Sequence, residues 1–86
     1  MNRITERDLN AVVARINRMT GSPANPYVGN VAQIGCYHLD SAYGGHQLAR
    51  MVNENGGIRS IIGGYLPKRE LYNRMQAFIS GMEAQK

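Results

Sequence analysis

An α+β domain, with a helix at each end and a three-stranded antiparallel meander between them, is the fold class that this 86-residue chain predicts. Two observations carry that reading. Both ends hold apolar residues at helical spacing, and the middle holds short runs of β-forming and aliphatic residues cut by three glycine pairs, Gly44-Gly45, Gly56-Gly57 and Gly63-Gly64.

The first helix is expected over residues 5–19. Thr5 with Asp8 three residues on forms a weak capping box, and Leu9, Val12, Val13, Ile16 and Met19 make one apolar stripe. Gly21 is the expected stop. Residues 20–30, with Pro23, Pro26, Gly21 and Gly29, read as an extended loop. Strands are expected over 32–40, 46–53 and 58–62, with the glycine pairs as turns. Asn55-Gly56 is a short-range hairpin signal. The middle strand is the ambiguous one, because Leu48, Met51 and Val52 also suit a helical turn. The last helix is expected over 67–83. Pro67 sits in its first turn, and Leu71, Met75, Phe78, Ile79 and Met82 form a second apolar stripe. Each helix has one face to bury, so both pack on one face of the meander and leave the other open to solvent or a partner. Leu9, Val13, Ile16, Leu71, Met75 and Phe78 are the expected core. The glycine pairs are unevenly spaced and mark no internal repeat.

A chain of this length holds one domain and one core, modest in stability and compatible with a homo-oligomer. Its 43% hydrophobic and 19% charged residues exclude a disordered tail, and no apolar run is long enough for a membrane span. The first residues lack the apolar segment of a signal peptide, and the single cysteine, Cys36, cannot form an internal disulfide; both point to the cytoplasm. The net charge of +4, from eight Arg and two Lys against six acids, leans toward acidic or phosphate-bearing partners.

Four groupings invite chemistry. Arg3, Arg7, Arg15 and Arg18 lie on or beside the polar side of the first helix. Arg7 and Arg18 are within about 20° on the helical wheel, with the small Ala11 and Ala14 between them. Arginine favours bidentate contacts to phosphate, although a solvated face is the ordinary state of such a pattern. Lys68 and Arg69 follow the Gly63-Gly64 pair at a helix start, a corner suited to an anion and also to two plain solvated side chains. Tyr43 and Tyr65 fall in or beside loops, where a ring with a polar tip suits interfaces and base stacking. Cys36, His38 and Asp40, spaced two apart on a strand, share one face. Same-face neighbours stand about 6.5–7 Å apart, too far for a nucleophile and its base without leaning. A zinc site from Cys36, His38, Asp40 and His46 lacks the paired spacing that such sites use. No Walker or dinucleotide glycine motif occurs. No catalytic residue, metal or cofactor is therefore assigned.

The stretches ITERDLNAVVARINRMTGSP, IGCYHLDSAYGGHQLARMVNENGG and LPKRELYNRMQAFISGME resemble a family of short, functionally uncharacterised proteins encoded by bacteriophages and prophages. The resemblance covers most of the chain, least well around residues 24–32. It implies a protein made in the cytoplasm of a bacterial host, with no functional residues to carry over. The expectation is a small non-catalytic accessory protein that binds nucleic acid or a phosphate-bearing ligand, in host regulation or anti-defence. A modulator of a host protein, using the open sheet face and the loop tyrosines, is the alternative. A small Cys/His hydrolase or metal enzyme is the distant third.

Overall fold

A computed structural model describes residues 3–84. Helix α1 spans Glu6–Thr20. Thr5 caps it: the Thr5 hydroxyl accepts from the Asp8 N–H at 3.3 Å, and the Asp8 carboxylate accepts from the Thr5 N–H at 2.9 Å. Gly21 ends it in the left-handed conformation, φ 69°, with its N–H turned back onto the last carbonyls.

The segment expected to be plain loop contains a two-stranded hairpin, β1 (Tyr27–Val28) with β2 (Val31–Ala32), across Gly29 and Asn30. Pro23 and Pro26 lie between the helix and the hairpin, and the Pro26 carbonyl accepts from the Gln33 N–H at 2.8 Å, which extends the pairing. The meander then runs β3 (Tyr37–Ala42), β4 (Gly45–Met51) and β5 (Ile58–Leu66), antiparallel in that order. Its middle strand is extended, not helical. Two expectations need correction. The first meander strand starts at Tyr37 rather than at residue 32, so Cys36 precedes it. The third does not end at Ile62: β5 runs through Gly63-Gly64 to Leu66, with register shifts against β4 on either side of Leu48. The pair that reads as a turn is an irregular arch within a strand.

Helix α2 spans Lys68–Ala84, directly after Pro67. Helix α1 packs on β3 and on α2, and α2 packs on β4 and β5, so both helices cover one sheet face. Leu9, Ile16, Leu48, Leu71 and Met75 are fully buried there, with Val12, Val13, Tyr37 and Ile79. Phe78 is only half-buried; it lies at the margin of this core, its ring centroid 6.2 Å from that of Tyr37.

One polar residue lies inside the apolar stripe. Asn17 is 3% exposed, and its side-chain amide accepts from the Tyr37 N–H at 2.8 Å and donates to the Tyr37 carbonyl at 2.9 Å. A helix side chain thus plays the part of a neighbouring strand and closes the start of the β3 edge. The outer sheet face is not bare. Gln47, 5% exposed, and Ala49, fully buried, both lie on it. A satellite cluster of Ala32, Cys36 and Met51 closes the end of the sheet next to the small hairpin.

Candidate functional site: a cationic cavity with a tyrosine rim

The turn between β3 and β4 builds one side of the site. Tyr43 and Gly44 both take positive φ, 53° and 75°, as a two-residue hairpin turn with Ala42 paired to Gly45 requires. Gly44 supplies the conformation, whereas Gly45 supplies space. A Cβ on Gly45 would collide with the Tyr65 carbonyl, so the β5 arch crosses where a side chain would stand. The two members of this glycine pair do different work.

Below the turn is an open cavity of about 520 Å³ lined by Arg3, Ile4, Gly44, His46, Pro67, Lys68 and Arg69. That size is within the range of ligand pockets. Three of the six candidate cations therefore come together. Arg3 arrives from ahead of the N-cap of α1, and Lys68 and Arg69 open α2. Arg3 and Arg69 are exposed and Lys68 is half-buried. His46 forms part of the wall, its Nδ1 2.6 Å from the Ser41 hydroxyl and 3.9 Å from the Glu6 carboxylate. Glu6 supplies negative charge at this edge.

The other arginines do not join them. Arg15 lies 3.8 Å from Glu83 of α2, an exposed pair between the helices. Arg7 and Arg18 are exposed on the same side of α1, but eleven residues put them about 16 Å apart along the axis, beyond the reach of one phosphate.

Tyr43 is 95% exposed. Its ring meets that of Tyr65 edge to face, with centroids 5.5 Å apart and planes at 73°. Tyr65 also has positive φ, 47°. Its hydroxyl donates to the Asp40 carboxylate at 2.9 Å, and the same oxygen accepts from the Gln47 amide at 2.7 Å. Ser60 donates to the Gln47 carbonyl oxygen at 2.8 Å, which completes a polar chain across all three strands. The hydrogen bonds from Gln47 and then Tyr65 hold the Asp40 carboxyl below its ordinary range. The same bond to Asp40 raises the Tyr65 hydroxyl above its ordinary range.

The residues of the catalytic and metal readings are dispersed. Cys36 is fully buried beside Ala32 and Met51, with the Asn17 amide 3.9 Å from its sulfur. Burial pushes its thiol up, away from the thiolate that a nucleophile or metal ligand needs. His38 lines a separate cavity of about 330 Å³ with Asn10, Ala14 and Pro26, and its Nε2 is buried without a hydrogen-bond partner. Asp40 belongs to the polar chain and His46 to the cationic cavity. Among the described residues, no three His, Cys, Asp or Glu side chains gather so as to hold a metal ion. No helix among them is long and apolar enough to cross a membrane.

Comparison with protein-family models, with curated proteins and with solved structures finds no match to this chain. Asn17, Gln47 and Ser60 had no signal in the sequence, because each acts through a partner on another element, seven to twenty residues away. The meeting of Arg3 with Lys68 and Arg69 is likewise a tertiary fact, with only the local pairing of Lys68 and Arg69 visible beforehand.

Proposed function

We propose that this protein is a small accessory protein of the bacteriophage type that acts by binding, and that its ligand is nucleic acid or another phosphate-bearing polyanion. The observation that supports this reading is the common cavity lined by Arg3, Lys68 and Arg69, which come from opposite ends of the chain. Like charges around one concavity repel, and a multivalent anion relieves that repulsion while fitting the fork geometry of arginine. The net charge of +4 favours the same class of partner. A cytoplasmic setting and a role in host regulation or anti-defence go with the proposal.

Salt dependence is the test. Binding of a labelled oligonucleotide is measured against salt concentration for the parent protein, for Lys68→Ala with Arg69→Ala, and for Arg7→Ala with Arg18→Ala. Loss of two phosphate contacts lowers the slope of log affinity against log salt by about 1.4 for a single strand and 1.8 for a duplex. The α2 pair is expected to show that loss, and the α1 pair to leave the slope within error of the parent. A parent protein with no salt-sensitive affinity for oligonucleotide or polyphosphate at low ionic strength would sink the proposal.

A further inference from the structure

We infer that the ligand of the cationic cavity is single-stranded nucleic acid, with one base stacked on Tyr43 while neighbouring phosphates occupy the cavity. This rests on the polyanion reading above and adds to it the part that recognises a base.

Tyr43 is the most exposed large apolar side chain of the described residues, and it has one ring neighbour. Its ring leans on Tyr65, and Tyr65 is tethered through its hydroxyl to Asp40. An exposed ring on an anchored support keeps one face available without the entropy of a mobile side chain. Its chain neighbour Gly44 lines the cavity, and so does Pro67, two residues past Tyr65. Consecutive Cα atoms are about 3.8 Å apart, so the platform begins at the cavity rim. Cations that follow a backbone beside an aromatic ring that takes a base are the two components of single-strand binding.

The two components lie on different sides of the sheet, and this selects the form of the ligand. His46, in the cavity wall, is paired with Ser41 and shares the face of Leu39 and Leu48, the helix side. Asp40, which holds Tyr65, is on the other face. A ligand that engages both must fold over the turn at residues 42–45. A single strand does so easily and can splay out a base. A duplex is stiff on this scale and keeps its bases stacked inside.

The test compares four ligands on one protein: a single-stranded oligonucleotide, its duplex, linear polyphosphate of matched charge, and a mononucleotide as competitor. The single strand is expected to bind tighter than both duplex and polyphosphate. Tyr43→Asn is expected to weaken single-strand binding about 5- to 100-fold, to leave polyphosphate binding unchanged, and Tyr43→Trp to restore the affinity. Asparagine tolerates positive φ and the side chain is exposed, so the variant stays folded, and an unchanged or raised melting temperature verifies this. Equal binding of polyphosphate and single strand, both indifferent to Tyr43→Asn, would overturn the stacking inference and leave the polyanion reading intact. Tighter binding of the duplex, or displacement of the strand by stoichiometric mononucleotide, would overturn the single strand as the ligand. Absence of binding to every polyanion would overturn both.

Discussion

On the helix side of the sheet, Leu48 meets Leu9, Ile16, Leu71 and Met75 in an apolar layer. On the other side, Asp40, Gln47, Ser60 and Tyr65 form a chain of hydrogen bonds across three strands. The contrast separates two tasks. Apolar burial is non-directional, so the first face supplies most of the folding free energy without aiming any one polar group. Hydrogen bonds are directional, so the second face sets where the β5 arch lies, and with it the Tyr65 ring, the Tyr43 ring and the rim of the cavity. One face holds the molecule together; the other positions its candidate site.

Asn17 is the exception that can break this division, because it brings directional bonding into the apolar side. Asn17→Ala removes both Asn17 bonds to the Tyr37 backbone, leaving the buried N–H unsatisfied and the C=O with only the weakly donating Cys36 thiol at 3.4 Å. The expected destabilisation is about 2–4 kcal/mol, the largest effect predicted for a polar residue here. Urea unfolding of Asn17→Ala beside the exposed Asn10→Ala, which should stay within about 0.5 kcal/mol of the parent, measures it. An Asn17→Ala protein as stable as the Asn10→Ala control would show that Tyr37 finds other partners and that the helix side needs no directional contact.

The second prediction acts at the junction of the two faces. Gly45→Ala puts a methyl group against the Tyr65 carbonyl, with backbone rather than a flexible side chain in the way. The arch must move, at a cost of about 1–3 kcal/mol, and Tyr65 moves with it. Gly44→Asn, at the neighbouring position, keeps a residue that accepts positive φ and meets no atom within 4 Å of its Cβ, so it should change stability little. Thermal unfolding of the two variants distinguishes space from conformation as the reason for each glycine. Equal stability would refute the distinction.

The same pair shows what could and could not be read ahead of the structure. Helices with one apolar stripe, a capping residue and a glycine stop are local patterns, and α1 and α2 lie within a residue or so of their expected bounds. The three strands and their order were legible for the same reason. Boundaries that depend on contacts between distant segments were not. Gly63-Gly64 looks like Gly44-Gly45 in sequence, but one is an arch inside a strand and the other a turn followed by a crossing point. Tyr27 and Val28 are too short a run beside Pro26 to register as a strand, and only their pairing with Val31 and Ala32 makes one. For the site, Lys68 and Arg69 at a helix start and the two tyrosines in or beside loops were visible as residue types, although Tyr65 lies within β5. Arg3 joined them only through the packing of the N-terminus, and the long arginine face of α1 proved to be spread along the axis.

The smallest expected effect concerns the polar face and its response to pH. Asp40 has a lowered pKa in the fold, with the Gln47 bond as the main cause and the Tyr65 bond next. Its contribution to stability is therefore present above the ordinary carboxyl value of 3.8 and is lost as pH falls through the lower folded value. Tyr65 is shifted the other way. As an acid with a raised pKa, it contributes below its ordinary value of 10.0, and that contribution is lost as pH rises through the higher folded value. Between those limits both contributions are constant. Asp40→Asn keeps an oxygen that accepts from Tyr65 and Gln47 but removes the charge, so its stability deficit should be much smaller than that of Gly45→Ala. The deficit should be flat across neutral pH and shrink toward both extremes. Tyrosinate absorbance gives an independent measure. Tyr65 should ionise above the ordinary tyrosine value in the parent and return toward it in Asp40→Asn. A deficit that grew at acid or alkaline pH, or a tyrosine titration unmoved by Asp40→Asn, would mean that this bond does not hold the ring. Tyr43 would then lose the support that makes it a platform, and the outer face would differ from the helix side only in composition.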